Sequence, residues 1–213
     1  MDPCLALDKF CDCYITPNIL RKVVTEMERY IWAHSDALGG HESDLACLRY
    51  SANKRKSKLS IDAKWVFDPG TTSNIPGVFV DIPDGVVYED MVLSDMASIS
   101  DALATKTYSR MATVTITIDH YHTDAGIALA MADASVYFFV AAKQRLMNVF
   151  SDLKQWVVKS TSGVIPVKEE GATKSTCYMV KTTISAAYQL SIDVTEEAPI
   201  LKTVELAPSN QSI

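Results

Sequence analysis

Residues 108–150, YSRMATVTITIDHYHTDAGIALAMADASVYFFVAAKQRLMNVF, change their period once, and that change decides the fold. Up to residue 121, Ala112, Val114, Ile116 and Ile118 alternate with Thr113, Thr115, Thr117 and Asp119. A strict period of two in β-branched residues predicts a half-buried strand of an antiparallel or mixed sheet. From residue 125 to about 150 the apolar residues recur at helical spacing, with Thr123 or Asp124 placed to cap the start. At 1.5 Å per residue such a helix is roughly 40 Å long. Its first half is built of small residues (Ala125, Gly126, Ala128, Ala130, Ala132, Ala134), which permit close approach to a sheet or a second helix. Its second half turns bulky, with Phe138, Phe139, Leu146 and Val149. A helix apolar on most sides must be covered on most sides, so a subunit interface is expected along it.

Moving outward, Thr16 and Pro17 suit the N-cap and first position of an earlier helix over residues 17–35. Leu20, Val23, Val24, Met27, Tyr30 and Ile31 share one side of it, with Arg21, Lys22, Glu26 and Arg29 largely opposite, and Gly39-Gly40 closes the segment. Strands are expected at 61–67, where Asp68-Pro69-Gly70 stops the alternation, at 76–82, and after the Pro83-Asp84-Gly85 turn at 86–93. Residues 94–105 fit either a short helix or an extended loop. Residues 154–159 either begin a strand or finish the helix. A short segment at 162–167, a turn at Glu169-Glu170-Gly171, a long run at 176–192 with a kink or bulge at Ala186-Ala187, and a strand at 200–206 complete the pattern. The class is α+β: a mixed or antiparallel sheet packed by an N-terminal amphipathic helix and one long Ala-rich helix. With no repeat or linker, residues 1–213 read as a single domain, with 1–15 an N-terminal extension and 207–213 a polar C-terminal tail.

The 213 residues carry 20 Lys and Arg against 26 Asp and Glu, a net charge of −6, which disfavours a surface built to grip phosphates broadly. The basic run Lys54-Arg55-Lys56-Ser57-Lys58 is the exception, a loop placed to touch nucleic acid or an acidic partner, or simply a solvated turn. The apolar run at 125–142 carries Asp133 in its middle, is followed by Lys143 and Arg145, and is rich in Ala rather than Leu, so no membrane span is expected. Five cysteines and an acidic N-terminus without a signal sequence point to free thiols in the cytoplasm.

Chemistry-bearing motifs are few. His120 and His122, two apart on a strand, share a face and are the weak candidates for a metal, with Asp119 and Asp124 nearby but no third ligand indicated. Cys11 and Cys13 with Cys47, His34 and His41 hold soft ligands at spacings that do not match a structural zinc site. There is no phosphate loop, nucleophile elbow or HExxH motif, so no catalytic residue, cofactor or metal is assigned and the expectation is a protein that is not an enzyme.

The order of elements, with the helix at 17–35, the strand residues Ile75-Pro76-Gly77-Val78-Phe79-Val80 and the strand–helix unit at 112–150, resembles the tail terminator and tail completion proteins of tailed bacteriophages. The resemblance spans roughly residues 15–195, and the segments 61–93 and 164–206 look like additions to the family pattern. It implies a virion structural protein of the tail or neck, assembled in the host cytoplasm. Such a protein forms a ring, commonly a hexamer, that caps the tail tube and joins it to the head–tail connector. Genomic DNA passes through its channel with only transient, non-specific contact. Ring contacts are then expected at Phe138, Phe139 and Leu146, and partner or DNA contacts at Lys54, Arg55, Lys56 and Lys58. Another neck or connector component, a cytoplasmic protein-binding adaptor and, behind them, a small metal-dependent enzyme are the alternatives.

Overall fold

The computed structural model describes residues 15–35, 45, 47–64, 75–89, 98–100, 105–168 and 177–195. The expected elements at 65–67, 90–93 and 200–206, the Gly39-Gly40 stop, the turn at 169–171 and both terminal segments lie outside these residues.

Two long strands form the frame. β5 (Thr105–His122) and β8 (Cys177–Thr195) pair antiparallel in continuous register from Thr105↔Thr195 to His122↔Tyr178. Against the far side of β5 lie β2 (Gly77–Asp81), β3 (Val86–Tyr88) and β4 (Ser98–Ser100), one after another along its length. Against the far side of β8 lie β6 (Leu153–Thr161) and β7 (Ile165–Val167). β1 (Ser60–Ala63) joins the edge by pairing parallel with β2, which makes the sheet mixed, in the order β1-β2-β5-β8-β6. Residues 98–100, within the segment that fitted helix or loop, are a strand, and Leu153–Thr161 is a strand rather than the end of the helix. Ala186 and Ala187 carry no kink: they pair without interruption with Val114 and Thr113. The register shifts fall on the neighbouring β6, between Leu153 and Gln155 and between Val158 and Ser160. The bulges sit in the edge strand, which has fewer ladder bonds to lose. Gly85, at φ +67°, turns the chain from β2 into β3 in a conformation that other residues resist.

The period-two alternation of β5 sorts its two faces. Ala112, Val114, Ile116, Ile118 and His120 point to the helices and are buried, as are their β8 partners Tyr188, Ala186, Ile184, Thr182 and Val180. On that face lie α1 (Pro17–Ala33), over β1 and β2, and α2 (Ala125–Val149), over β5, β8 and β6. The Thr16 hydroxyl accepts from the Ile19 amide, and Asp124 Oδ1 accepts from Gly126 and Ile127, so both helix starts are capped by side chains. Ala128 and Ala132 of α2 pack on Val180, the close approach that only small side chains allow. Phe139, Leu146, Trp156 and Tyr188 fill the wider space further along.

Candidate functional site

Three places in this architecture carry more than packing: a buried polar chain beneath the helices, a carboxylate on the opposite face, and the outer side of α2.

The polar chain begins on α1. Glu28 occupies the apolar stripe of that helix, one turn after Val24 and one before Trp32, and is fully buried. Trp32 Nε1 donates to Glu28 Oε2 at 2.8 Å, and Ser135 Oγ of α2 lies 3.1 Å from the same oxygen. Ser135 Oγ is also 2.9 Å from His120 Nε2, and His120 Nδ1 is 3.3 Å from the Val180 carbonyl. One chain of contacts thus links α1, α2, β5 and β8. The carbonyl can only accept, so Nδ1 carries the proton, and two arrangements fit. In the neutral one, Glu28 donates to Ser135 and Ser135 donates to His120 Nε2. In the charged one, imidazolium donates to Ser135 and Ser135 donates to carboxylate. Burial disfavours both charges, pushing Glu28 up to about 7 and His120 down to about 4. Glu28 Oε1 has no hydrogen-bond partner among the described residues, a smaller cost for the carbonyl oxygen of an acid than for half of a carboxylate. The neutral chain is therefore the ground arrangement between about pH 4 and about pH 7.

Serine, histidine and a carboxylate in one chain invite comparison with a hydrolytic triad, and the order decides against it. There the carboxylate orients the histidine from behind and leaves the serine open to substrate. Here the carboxyl bonds the serine itself, and Ser135, His120 and Glu28 are all fully buried. The chain pins two helices to the sheet and presents nothing to a substrate. It also settles the geometry of the histidine pair. Both ring nitrogens of His120 are engaged, and His122 Nδ1 accepts from the Asp124 amide as part of the cap. Among the described residues no three His, Cys, Asp or Glu side chains gather as a ligand set. His34 Nδ1 donates to the Tyr30 carbonyl and its ring lies against the Tyr30 ring, Cys47 is exposed, and Cys4, Cys11, Cys13 and His41 lie outside the described residues.

On the other face, Thr113, Thr115 and Thr117 lie beside Ala187, Ser185 and Thr183 in a mostly polar stripe that no helix covers among the described residues. Asp119 ends that stripe and is fully buried. Lys64 Nζ stands 2.7 Å from its Oδ2 and Lys181 Nζ 4.0 Å from Oδ1, both lysines partly exposed. Apart from these ammonium groups neither carboxylate oxygen has a hydrogen-bond partner among the described residues. Tyr121 packs edge-on against Phe79 alongside it, and burial, then the Asp119 charge, raises its phenol above the ordinary range. This is a charge cluster closing the sheet end, with its lysines already committed to Asp119.

Assembly residues were expected along α2, and two of the three lie in the protomer's own core. Phe139 and Leu146 are buried in the protomer's own core, and Phe138 is half-buried against Phe139 and Tyr30. Phe139 and Leu146 thus offer no surface to a neighbour, while Phe138 keeps part of its ring open. The solvent side instead carries Leu129, Tyr137 and Val140, at 41%, 79% and 59% exposed, with Asp133, Ala141, Lys143 and Gln144 among them. By length and composition α2 is apolar enough to cross a membrane, yet it lies along the sheet on one side. The basic residues Lys54, Arg55, Lys56 and Lys58 are exposed and make no ion pair among the described residues. Their loop has a defined shape, since Asn53 Oδ1 accepts from the Arg55 amide, Asn53 O accepts from the Lys56 and Ser57 amides, and the Lys58 amide donates to Arg49 O.

The polar chain was missed in the sequence because no motif announces it. A signal existed all the same: Glu28 is a carboxylate inside an apolar helix stripe, and Ser135 is the polar member of an alanine face. A scan against models of known protein families finds no match for this sequence, and no curated protein matches it.

Proposed function

We propose that the chain is a structural subunit of a tailed-bacteriophage neck, forming a tail terminator or tail completion ring without catalytic activity. The observation that carries this reading is the imbalance on α2. An Ala-rich helix is covered by its own sheet and α1 on one side, and Leu129, Tyr137 and Val140 stand in water on the other, between Asp133 and Lys143. Apolar side chains arranged as a stripe mark a contact surface more often than a solvated face. The order of elements that resembles the terminator family, helix, strands, strand–helix unit and strands, supplies the rest. In that setting the ring, commonly a hexamer, caps the tail tube protein and meets the head–tail connector. Its net charge of −6 suits a channel that genomic DNA crosses without sticking. The exposed loop with Lys54, Arg55, Lys56 and Lys58 is the natural place for an acidic partner or a passing phosphate.

Native mass spectrometry of the purified protein, with negative-stain imaging of any assembly, tests the proposal. A closed ring supports it. A stable monomer that also fails to assemble on tail tubes would turn the same stripe into the docking face of a monomeric protein-binding adaptor.

A further inference from the structure

Resting on that ring reading, the chain that follows β8 supplies an occupant for the outer side of α2. α2 ends at Phe150, whose carbonyl accepts from the Leu153 amide, and Leu153 pairs with Tyr188. The helix therefore stops at the level of Tyr188, while β5 and β8 stay paired as far as Thr105↔Thr195. That ribbon, joined by β4, carries the end of β8 roughly 23 Å past α2. Residues 196–206, EEAPILKTVEL, follow it and lie outside the described residues. In an extended chain Ile200, Lys202, Val204 and Leu206 share one side, and Glu196 and Glu197 precede them. Pro199 has no amide to lend to a sheet, so the segment is poorly suited to prolonging β8 or adding an inner strand.

Charge sets a register between this segment and the stripe. Lys143 and Asp133 bound Val140 and Tyr137, about 15 Å apart along the helix. Both are exposed, and neither makes an ion pair among the described residues. Glu197 and Lys202 are roughly 17 Å apart in an extended chain. With Glu197 on Lys143 and Lys202 on Asp133, Ile200 falls beside Tyr137 and Val204 beside Leu129. The reverse direction sets like charges against each other. The stripe cannot take these residues from its own chain. Phe139 packs on Trp156, the partner of Ala186, so Tyr137 stands near the level of Ala186, roughly 30 Å of strand behind Thr195. Ile200 follows Thr195 by five residues, a reach of at most about 18 Å. A segment of one copy lying on the helix of the next is a head-to-tail contact, the kind that closes into rings rather than stopping at a dimer.

We propose that the outer stripe of α2 (Leu129, Tyr137, Val140) receives residues 197–204 of a second copy of this chain, laid along it in extended form. Two variants test it by analytical ultracentrifugation: Tyr137→Asp with Val140→Asp on the stripe, and Ile200→Asp with Val204→Asp on the segment. Ile200→Ser with Val204→Ser replaces the second variant if circular dichroism shows that aspartate costs structure. Each variant alone is expected to be monomeric, its dissociation constant raised roughly 30-fold or more, as for the loss of interface anchors. Their equimolar mixture retains one intact contact, the segment of the stripe variant on the stripe of the segment variant. It is expected to give a heterodimer and nothing larger. Lys143→Glu is expected to weaken assembly roughly five-fold, and adding Glu197→Lys to restore it. A segment variant that assembles like the wild type overturns the proposal and leaves the ring reading standing. A double charge reversal no better than Lys143→Glu alone overturns the register. A wild type that is monomeric at every concentration and on tail tubes removes the ring reading and the proposal with it. Flotation of the wild type with phosphatidylcholine vesicles, abolished in the stripe variant, would assign the stripe to a membrane and overturn the pairing.

Discussion

The two helices lie on the same face of the same sheet and meet opposite fates. α1 is amphipathic: Leu20, Val23, Val24, Met27 and Ile31 are all buried, and its outer side carries Arg21, Lys22, Glu26 and Arg29. Arg29 even anchors it to the sheet edge, bonding the Ile61 carbonyl while paired with Glu26. α2 buries small residues and three large ones, Met131, Phe139 and Leu146, and leaves Tyr137 and Val140 in solvent. The protomer completes the surroundings of α1 and leaves those of α2 half-finished. A helix whose outer side is polar is at rest in a monomer, whereas one whose outer side is apolar asks for a neighbour.

The sharpest way to break that contrast is to place the same charge on each helix. Val24→Asp puts a carboxylate into the core beneath α1 and is expected to destabilise the protomer by more than about 4 kcal/mol, enough to unfold it. Tyr137→Asp is expected to leave protomer stability within about 0.5 kcal/mol. Chemical denaturation of both variants below the assembly concentration checks this. Equal damage at the two sites would mean that α2 is as enclosed as α1.

The next effect is a dependence on pH where the helices are tied together. Glu28 has its folded value raised from 4.5 to about 7, so between those values the folded chain holds a proton that the unfolded chain has released. Stability from this group therefore falls as pH rises through that window. His120, lowered from 6.5 to about 4, contributes the opposite slope between those values, and the two nearly cancel in the wild type. Glu28→Gln removes one slope. Across pH 4.5 to 7 the stability gap should move in the variant's favour by about 3 kcal/mol, measured by urea titration at each pH. A constant gap would mean that Glu28 stays ionised and that the charged arrangement of the chain holds.

Smaller still is the cap of α2. Asp124→Ala removes the acceptor for two amides and should cost about 1 kcal/mol, with the His122 ring left beside a frayed turn. Reversing Lys54, Arg55, Lys56 and Lys58 to glutamate should change stability by about 0.5 kcal/mol or less. If that loop meets DNA, the reversal also weakens low-salt duplex binding and flattens its salt dependence in anisotropy titrations. Identical curves for the two proteins would mark the loop as solvated.

Much of this architecture was legible in the residues themselves. Strict alternation in β5, the Thr16 and Asp124 caps and the stripe of α1 specify their elements locally, and the α+β class followed. β4 escaped because SDMASISDALAT has no clean period, and its pairing with β5 rather than its composition makes residues 98–100 a strand. The expected kink at Ala186-Ala187 was misplaced because the irregularity belongs to β6, which only the pairing reveals. On α2, bulk was taken for contact. Phe139 and Leu146 are bulky, but the sheet claims them, and which side of an Ala-rich helix faces the sheet is decided by where the alanines fit. Glu28 and Ser135 meet across 107 residues of chain, a distance no local pattern spans.

The most direct test of the claim that α2 is finished by a neighbour is hydroxyl-radical footprinting of Tyr137 as protein concentration rises through assembly. The account expects Tyr137, 79% exposed in the protomer, to react fast when dilute and to become protected in the assembled protein, while half-buried Tyr30 on α1 changes little. A Tyr137 that reacts equally fast in the assembly would contradict it.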